Sequence, residues 1–478
     1  MAREVVLCEQ HSYSRGQPSA FTRIAITGQH PVLAASVATA LGVGGLDVQI
    51  TDKPDAVTEE LVVTAALGNG NDRDVHWLAL SQAREFHRSG GQSLILLQDT
   101  GGNFHEGPSQ GWRGGMAALT RTAALEWPEM QIRCIDIAVD PADVSGTAQR
   151  LLTALATGLP LVGIDLSGRV YALQVGKALS PSANAVATTP TAPSDVWLVS
   201  GGARGVTAAC IEALAQRSTA RFALLGRSVP AEWPENIEKT SDIKVLRRQL
   251  ALNAVASGER PVPSDIERSA RHALAGQEIR EALERLKAAG VSARYYPCDI
   301  ANRQQVHDVV ALIHSELGQV TALVHGAGVL ADSLIVDKTK AQFDRVFDTK
   351  VVGLQNLLIA LGDAPLSHAA LFSSAAAFYG NTGQSDYAMA NEVLNRVAQS
   401  LKKRFPKATV KSFNWGPWDS GMVDQTLARY FEERGIGLIS LQAGAALFVD
   451  EMLAGDRHGV ELLVGDAWVD DVANSSAG

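Results

Sequence analysis

The sequence predicts an α/β protein made of two doubly wound parallel-sheet lobes. Three observations carry this. The apolar runs Val196–Ser200, Phe222–Leu225, Ala322–His325, Ala369–Ser373 and Val410–Asn414 are continuous rather than alternating, as strands covered on both faces require. Stretches of helical periodicity separate them, and strand–helix alternation argues parallel crossover units. The third observation is an internal echo. Arg23–Gly28 resembles Val196–Gly201, and Leu94–Gln98 resembles Ala370–Ser374. Met116–Ile137 resembles Met389–Phe413, each a helix, a proline and a strand. Either one lobe was duplicated or two α/β stretches resemble each other by chance. On the first reading, the first lobe keeps the apolar scaffold and loses the polar chemistry.

The lobes are expected at 1–179 and 196–469. Between them, residues 180–195 are rich in Ser, Ala, Thr and Pro and lack aromatics, which suits an extended linker. Residues 470–478 read as a polar tail. Residues 229–277 hold four prolines, many charges and helical patterns such as Val245–Leu252. Connections in α/β units run about 2–6 residues, so this stretch is expected to be a surface insertion.

A chain of 478 residues with 46% hydrophobic and 19% charged residues has ample material for large cores. Its net charge of −9 argues against nucleic-acid binding, which needs a dense basic surface. Cys8, Cys134, Cys210 and Cys298 are far apart, leaving no zinc spacing and no disulfide framework. No apolar stretch reaches the roughly 18 residues of a membrane span. Residues 1–18 lack the pattern of a signal peptide. A cytoplasmic protein with no metal and no membrane partner is expected.

Ser200-Gly-Gly-Ala-Arg-Gly-Val-Thr207 follows the first strand of the second lobe and opens a helix, the context in which a glycine motif cradles a dinucleotide. Gly201 allows the tight turn, and Gly202 is expected to line the cofactor beside it. Gly205 lets the backbone approach a pyrophosphate at the helix N-terminus, with Ala203, Arg204 and Val206 beside it. Thr207 stands where a third small residue is usual. The second strand ends at Leu225-Gly-Arg-Ser228. A carboxylate there would select NAD, whereas Arg227 and Ser228 suit a 2′-phosphate, hence NADPH. Asp299 and Ile300 follow the next strand, Asp299 placed to accept from the adenine amino group. Gly326, Ala327 and Gly328 are small enough for the cofactor to lie against, and His325 reads as a packing residue.

Lys350, Ser374, Tyr387 and Asn391 complete the pattern. Tyr387 lies 13 residues after Ser374, and Asn391 four after Tyr387, on the same helix face. Lys350 reads as starting the preceding helix. On these residues the second lobe resembles a short-chain dehydrogenase/reductase. The usual Tyr-xxx-Lys has its Lys and Asn exchanged, Asn391 standing at Tyr + 4. That exchange, with two lobes, resembles the ketoreductase domains of type I polyketide and fatty-acid synthases. The wording HGAGVLAD (325–332), FSSAAAFYGNTGQSDYAMANEVLN (372–395) and FNWGPWDSGMV (413–423) is most similar to polyunsaturated fatty acid synthases and other iterative polyene-forming systems, then to enediyne-type and modular polyketide synthases.

The resemblance implies a truncated, structural first lobe and a catalytic second lobe. It implies NADPH-dependent reduction of a β-keto group on a chain tethered to acyl carrier protein, alongside ketosynthase and dehydratase domains. Tyr387 would donate the proton, Ser374 would hydrogen-bond the developing oxyanion, and Lys350 would lower the Tyr387 pKa and hold the nicotinamide ribose. Asn391 would fix a water or the lysine. Trp418 lies in the turn covering the nicotinamide, and Gly421–Gly437, with Met422, is expected to form a mobile lid. Leu330-Ala331-Asp332 keeps the last residue of a stereocontrol motif, and Tyr379 stands where another class has Trp. With Gln384 these frame the substrate and imply a D, (3R)-type alcohol. Two other readings remain open: a stand-alone reductase of small ketones, and a non-catalytic domain that keeps only the fold.

Overall fold

The structure, a computed structural model, describes residues 1–10, 21–43, 46–67, 72–104, 110–179, 191–419, 436–453 and 458–465. The expected tail and Met422 lie outside these residues, as do most of the expected linker and lid. The first lobe runs β1 (Ala2–Glu9), β2 (Arg23–Ile26), α1 (Pro31–Val43), β3 (Asp47–Ile50), β4 (Glu60–Ala66) and α2 (Asp72–Arg88). It continues with β5 (Ser93–Gln98), α3 (Met116–Glu126), β6 (Gln131–Ile137), α4 (Val144–Leu155), β7 (Leu161–Ile164) and β8 (Val170–Ala178). The second lobe opens with β9 (Val196–Ser200), α5 (Gly205–Ala215), β10 (Arg221–Gly226), α6 (Ile243–Ala256) and α7 (Pro263–Ala288). Then come β11 (Ala293–Pro297), α8 (Arg303–Glu316), β12 (Ala322–His325), α9 (Lys340–Phe347) and α10 (Gly353–Leu361). β13 (His368–Ser374), α11 (Ala375–Tyr379), α12 (Ser385–Arg404), β14 (Thr409–Trp415), a helix at Leu441–Leu453 and β15 (Glu461–Val464) complete it.

All fifteen strands join one sheet in the order β11-β10-β9-β12-β13-β14-β15-β1-β8-β7-β6-β5-β4-β2-β3. Strands β9 to β15 pair in parallel, as do β2 to β7. Between these blocks lie three antiparallel pairings, β15 with β1, β1 with β8 and β8 with β7. An odd number of reversals makes the two blocks run in opposite directions. The N-terminal strand β1 thus pairs with the last strand, β15. The order β10-β9-β12-β13-β14-β15 is matched by β3-β2-β4-β5-β6-β7, and no counterpart of β11 exists among the described residues. Among them, too, no helix is long and apolar enough to cross a membrane.

The chain reverses its strand order between β9 and β12, which opens a crevice at their carboxyl ends where open α/β sheets bind ligands. In the first lobe a side chain occupies the corresponding turn. Asp52 stands two residues past Ile50, which pairs with Ile26, as Arg227 stands two past Leu225, which pairs with Ser200. Its Oδ1 accepts the Gly28 N–H (2.9 Å) and a Gln29 side-chain N–H (2.7 Å). A carboxylate thus fills the turn that would face a phosphate.

The expected insertion after β10 is helical, with its own small core of Ile237, Leu246, Leu250, Ala270 and Ala273. Its expected end at 277 is not a boundary. α7 runs unbroken through it to Ala288, because the stretch EIREALERLKA is made mostly of strong helix formers.

The lobes meet along α12, which is buried from Ser385 to Leu401 except at the half-buried Tyr387. α3 and the turn Gln110–Arg113 cover one side of it, β13 and β14 the other. Arg396 of α12 is buried and donates to Phe104 O of the first lobe (2.7 Å) while pairing with Glu461 of β15. Residues 195–478 expressed alone should therefore be insoluble or sharply destabilised. Loss of the first lobe bares α12, opens the β15 edge and removes an acceptor from a buried guanidinium. Sedimentation and thermal melting of that fragment against the full chain check this; a soluble, fully active fragment would contradict it.

Candidate active site

One cleft of about 770 Å³ runs along the carboxyl ends of β9, β10, β12 and β13. Its far end is the β9–α5 turn. Gly201 and Gly205 both have positive φ, 73° and 58°, a conformation that costs glycine little. A Cβ at Gly205 would meet nothing within 4 Å, so the backbone is bare where α5 begins. Thr207 is buried and fills the space above Gly326, where a Cβ would lie 2.3 Å from the Thr207 hydroxyl. The pair exchanges sizes: a larger residue on the helix, a glycine on the facing strand end. Gly202 differs from expectation. It is buried beneath the turn, where a Cβ would lie 2.4 Å from Val199, so it lets the turn pack on the sheet and does not line the cleft.

Arg227 and Ser228 edge this end of the cleft. Arg227 is exposed, and among the described residues no carboxylate pairs with it. Arg204 pairs instead with Glu278 of α7. Asp299 and Ile300 lie in the turn after β11, and Gly326, Ala327 and Gly328 line the floor. A bare helix start, two positive-φ glycines and an unneutralised guanidinium at the ribose position fit a nicotinamide dinucleotide with a 2′-phosphate.

At the other end stand Lys350, Ser374 and Tyr387. Lys350 does not start a helix. It sits in a π-helical turn, Asp348–Val352, between α9 and α10, a widening often found at functional sites. Its Nζ donates to Phe372 O (2.9 Å) and lies 5.3 Å from the Tyr387 ring centre. Among the described residues no carboxylate pairs with it, and burial pulls its pKa from 10.5 to about 7. Behind it, His325 is buried, with Nε2 2.9 Å from Lys350 O and Nδ1 2.7 Å from Ser200 Oγ. A carbonyl only accepts, so Nε2 donates and Nδ1 accepts from the serine hydroxyl. Burial lowers the His325 pKa to about 3, so the ring is neutral and braces the π turn.

Burial raises the Tyr387 pKa; Asn391 and Ser374 act against it. The phenol therefore holds its proton across neutral pH. Burial is the largest influence on the phenol, as it is on Lys350, and presses each toward its neutral form. Asn391 lies behind Tyr387, outside the cleft lining. Its Nδ2 donates to Tyr387 O (2.9 Å), and its Oδ1 is buried without a partner among the described residues. Ser374 caps α11, its Oγ accepting from Ala376 N (3.2 Å).

Leu330, Asp332, Gln384 and Trp418 line the cleft, and Gln384 donates to Asp332 Oδ2 (3.1 Å). Tyr379 does not reach it. It ends α11 and packs with Phe378, Val5, Leu173 and Leu463 at the seam between the lobes. Asn381 and Thr382 line the cleft as well, although neither stands in the spaced pattern of polar residues.

Residues 196–420 match the family model of the KR domain. This stretch is a KR domain. The chain is similar to parts of larger proteins. A polyunsaturated fatty acid synthase polypeptide from Thraustochytrium sp. is 36% identical over 366 residues, 74% of this chain and 13% of that protein. Polyketide synthase GfsA of Streptomyces halstedii is 29% identical over 347 residues, 71% of this chain and 4% of that protein. The chain thus spans a small part of the relatives it matches. Among solved structures, an A-type ketoreductase from a modular polyketide synthase aligns with TM-score 0.73 and 21% identity over 97% of this chain and 92% of that one. A ketoreductase domain from the bacillaene assembly line aligns at 0.67 and 18% over 97% and 96%. Both share the α/β fold with its large, mostly parallel sheet.

The KR domain carries the Lys350 charge at a cost to stability. Between pH about 7 and 10.5, its pKa here and its ordinary value, the unfolded chain binds more protons, so stability rises with pH; below that window the penalty is complete. The ligand-free Lys350→Met variant should therefore gain melting temperature relative to wild type most at about pH 6, and the difference should shrink by about pH 9. Calorimetry at both pH values checks the sign.

Proposed function

We propose that the chain reduces the β-keto group of a polyketide or fatty acyl chain, held as a thioester on an acyl carrier protein, to a β-hydroxyl group with NADPH. The observation that carries this reading is one cleft joining Arg227 and Ser228 at one end to Lys350, Ser374 and Tyr387 at the other. The match to polyunsaturated fatty acid and polyketide synthases supports a carrier protein, a ketosynthase and a dehydratase as its partners, within an iterative megasynthase.

When bound, NADPH supplies hydride to the β-carbon. The chain's own residues manage the oxygen. Ser374 donates a hydrogen bond to the charge developing there, a contact worth about 3–4 kcal/mol in comparable sites. Tyr387, still protonated at neutral pH, gives its proton to that oxygen. Lys350 holds positive charge beside the phenol, where the resulting phenolate is stabilised, and anchors the cofactor ribose. The unpartnered Asn391 Oδ1 accepts from a water through which Tyr387 is reprotonated. Asp332 and Gln384, bonded to each other, set which face of the ketone meets the hydride. Position 379 carries no Trp and its Tyr packs elsewhere, in keeping with a D, (3R)-type product.

Tyr387→Phe is expected to keep NADPH binding and lose nearly all turnover of 3-ketoacyl thioesters. Retention of more than about a tenth of wild-type turnover would remove the proton-donor role. The wild type should prefer NADPH over NADH at least about tenfold, or about 1.4 kcal/mol. Arg227→Ala should narrow that preference by raising the NADPH Michaelis constant. Initial rates with both cofactors and chiral analysis of the product test the reading; equal use of NADH by the wild type would contradict it.

A further inference from the structure

Two loops of the second lobe form the substrate side of the cleft. One carries Leu330 and Asp332, the other Asn381 and Gln384. The lobe's own sheet does not hold them alone. At the end of α3, in the first lobe, the half-buried Glu126 accepts the Ile335 N–H at Oε2 (2.7 Å) and the Gly383 N–H at Oε1 (2.8 Å). A single carboxylate thus takes one bond from each loop. Bonds to a charged acceptor are about twice as strong as neutral ones.

From that point the loops are bonded to one another. Ser333 N donates to Gly383 O (2.8 Å). Lys338, buried, donates to Ala331 O (2.8 Å), Gly383 O (3.2 Å) and Asp386 Oδ1 (2.9 Å). Asp386 in turn accepts the Tyr387 N–H (2.9 Å). The Gly383 peptide therefore points its N–H at the first lobe and its C=O at the loop carrying Asp332. Glu126 lies outside the cleft lining and acts only through these neighbours.

We propose that Glu126 is a positioning residue: the first lobe sets the spacing of the two substrate-side loops, and so the face that a bound ketoacyl group presents. This rests on the ketoreductase reading above. The cofactor end of the cleft shares none of these bonds, so the effect is confined to the substrate end, Tyr387 included. Displacement of a reacting group by about 1 Å lowers rates by as much as about a hundredfold, so partial release of one loop should cost about tenfold.

Glu126→Gln keeps the size but offers one oxygen to two N–H donors. Turnover of a 3-ketoacyl thioester should fall about tenfold and the minor alcohol enantiomer should rise, with NADPH affinity unchanged. Glu126→Ala should do more, and Glu126→Asp, which keeps both oxygens, should recover part. Amide hydrogen exchange of the full chain should quicken in 329–339 and 377–388 and stay unchanged in 196–215. Unchanged kcat, KM and enantiomer ratio in the Gln and Ala variants would overturn the proposal. So would exchange that quickens evenly across the second lobe, which would make Glu126 a general stabiliser. If the wild type itself reduces no 3-ketoacyl thioester, the ketoreductase reading fails, and the exchange pattern still decides whether Glu126 holds the loops.

Discussion

The buried Arg396 guanidinium ties together the parts on which the site rests. It projects from α12, bonds Phe104 O of the first lobe, pairs with Glu461 on β15, and lies 3.2 Å from Glu392 one turn back on its own helix. A charge so deep is costly unless every partner is in place, and removing one partner from such a pair typically costs about 3–5 kcal/mol. The surroundings are shaped to it: a Cβ at Gly114, in the turn before α3, would lie 2.4 Å from the Arg396 side chain. The energetic demand of one cation thus fixes three things at once, the docking of the first lobe, the pitch of α12 and the place of the last strand. Tyr387 is on the same helix, so its position follows from that docking.

The reactive end of the cleft is organised by a shortage of charge compensation. Lys350 is buried with a carbonyl acceptor, the Tyr387 ring nearby and no carboxylate partner among the described residues, and the helix widens by a π turn at the place where it enters. His325 and Ser200 hold that turn through a chain of two hydrogen bonds. Such an arrangement is a poor way to stabilise a fold, and it leaves the Lys350 amine open to the cleft beside the Tyr387 ring. The opposite end does the reverse, leaving Arg227 in solvent, where its charge costs little.

The sequence made the second lobe legible because strands buried on both faces leave continuous apolar runs, and β9, β10, β12, β13 and β14 fall on those runs. The edge strand β3, Asp-Val-Gln-Ile and mostly exposed, carries no apolar run for that test. Spacing finds the polar residues of the candidate site only in part: Ser374 and Tyr387 both reach the cleft, while Asn391, on the same helix face as Tyr387, lies behind it. What spacing does not carry is direction and partnership. Tyr379 closes the short helix that Ser374 caps yet turns into the seam, Gly202 faces the sheet rather than the cleft, and Thr207 makes sense only beside Gly326. Glu126 lies more than 200 residues from Ile335 and Gly383, so no local pattern links them. The helical end of the insertion was misplaced for a related reason: a periodic pattern marks where a helix persists, not where one structural role gives way to another.

The central position of β1 has a mechanical consequence. Ala2 pairs with Val464, and Gly465 N donates to Met1 O (2.9 Å), so residues 1 and 465 leave the sheet side by side. Tension applied between those two points opens β1 from β15 as a zipper opens, one hydrogen bond at a time, and not in shear across the whole pair.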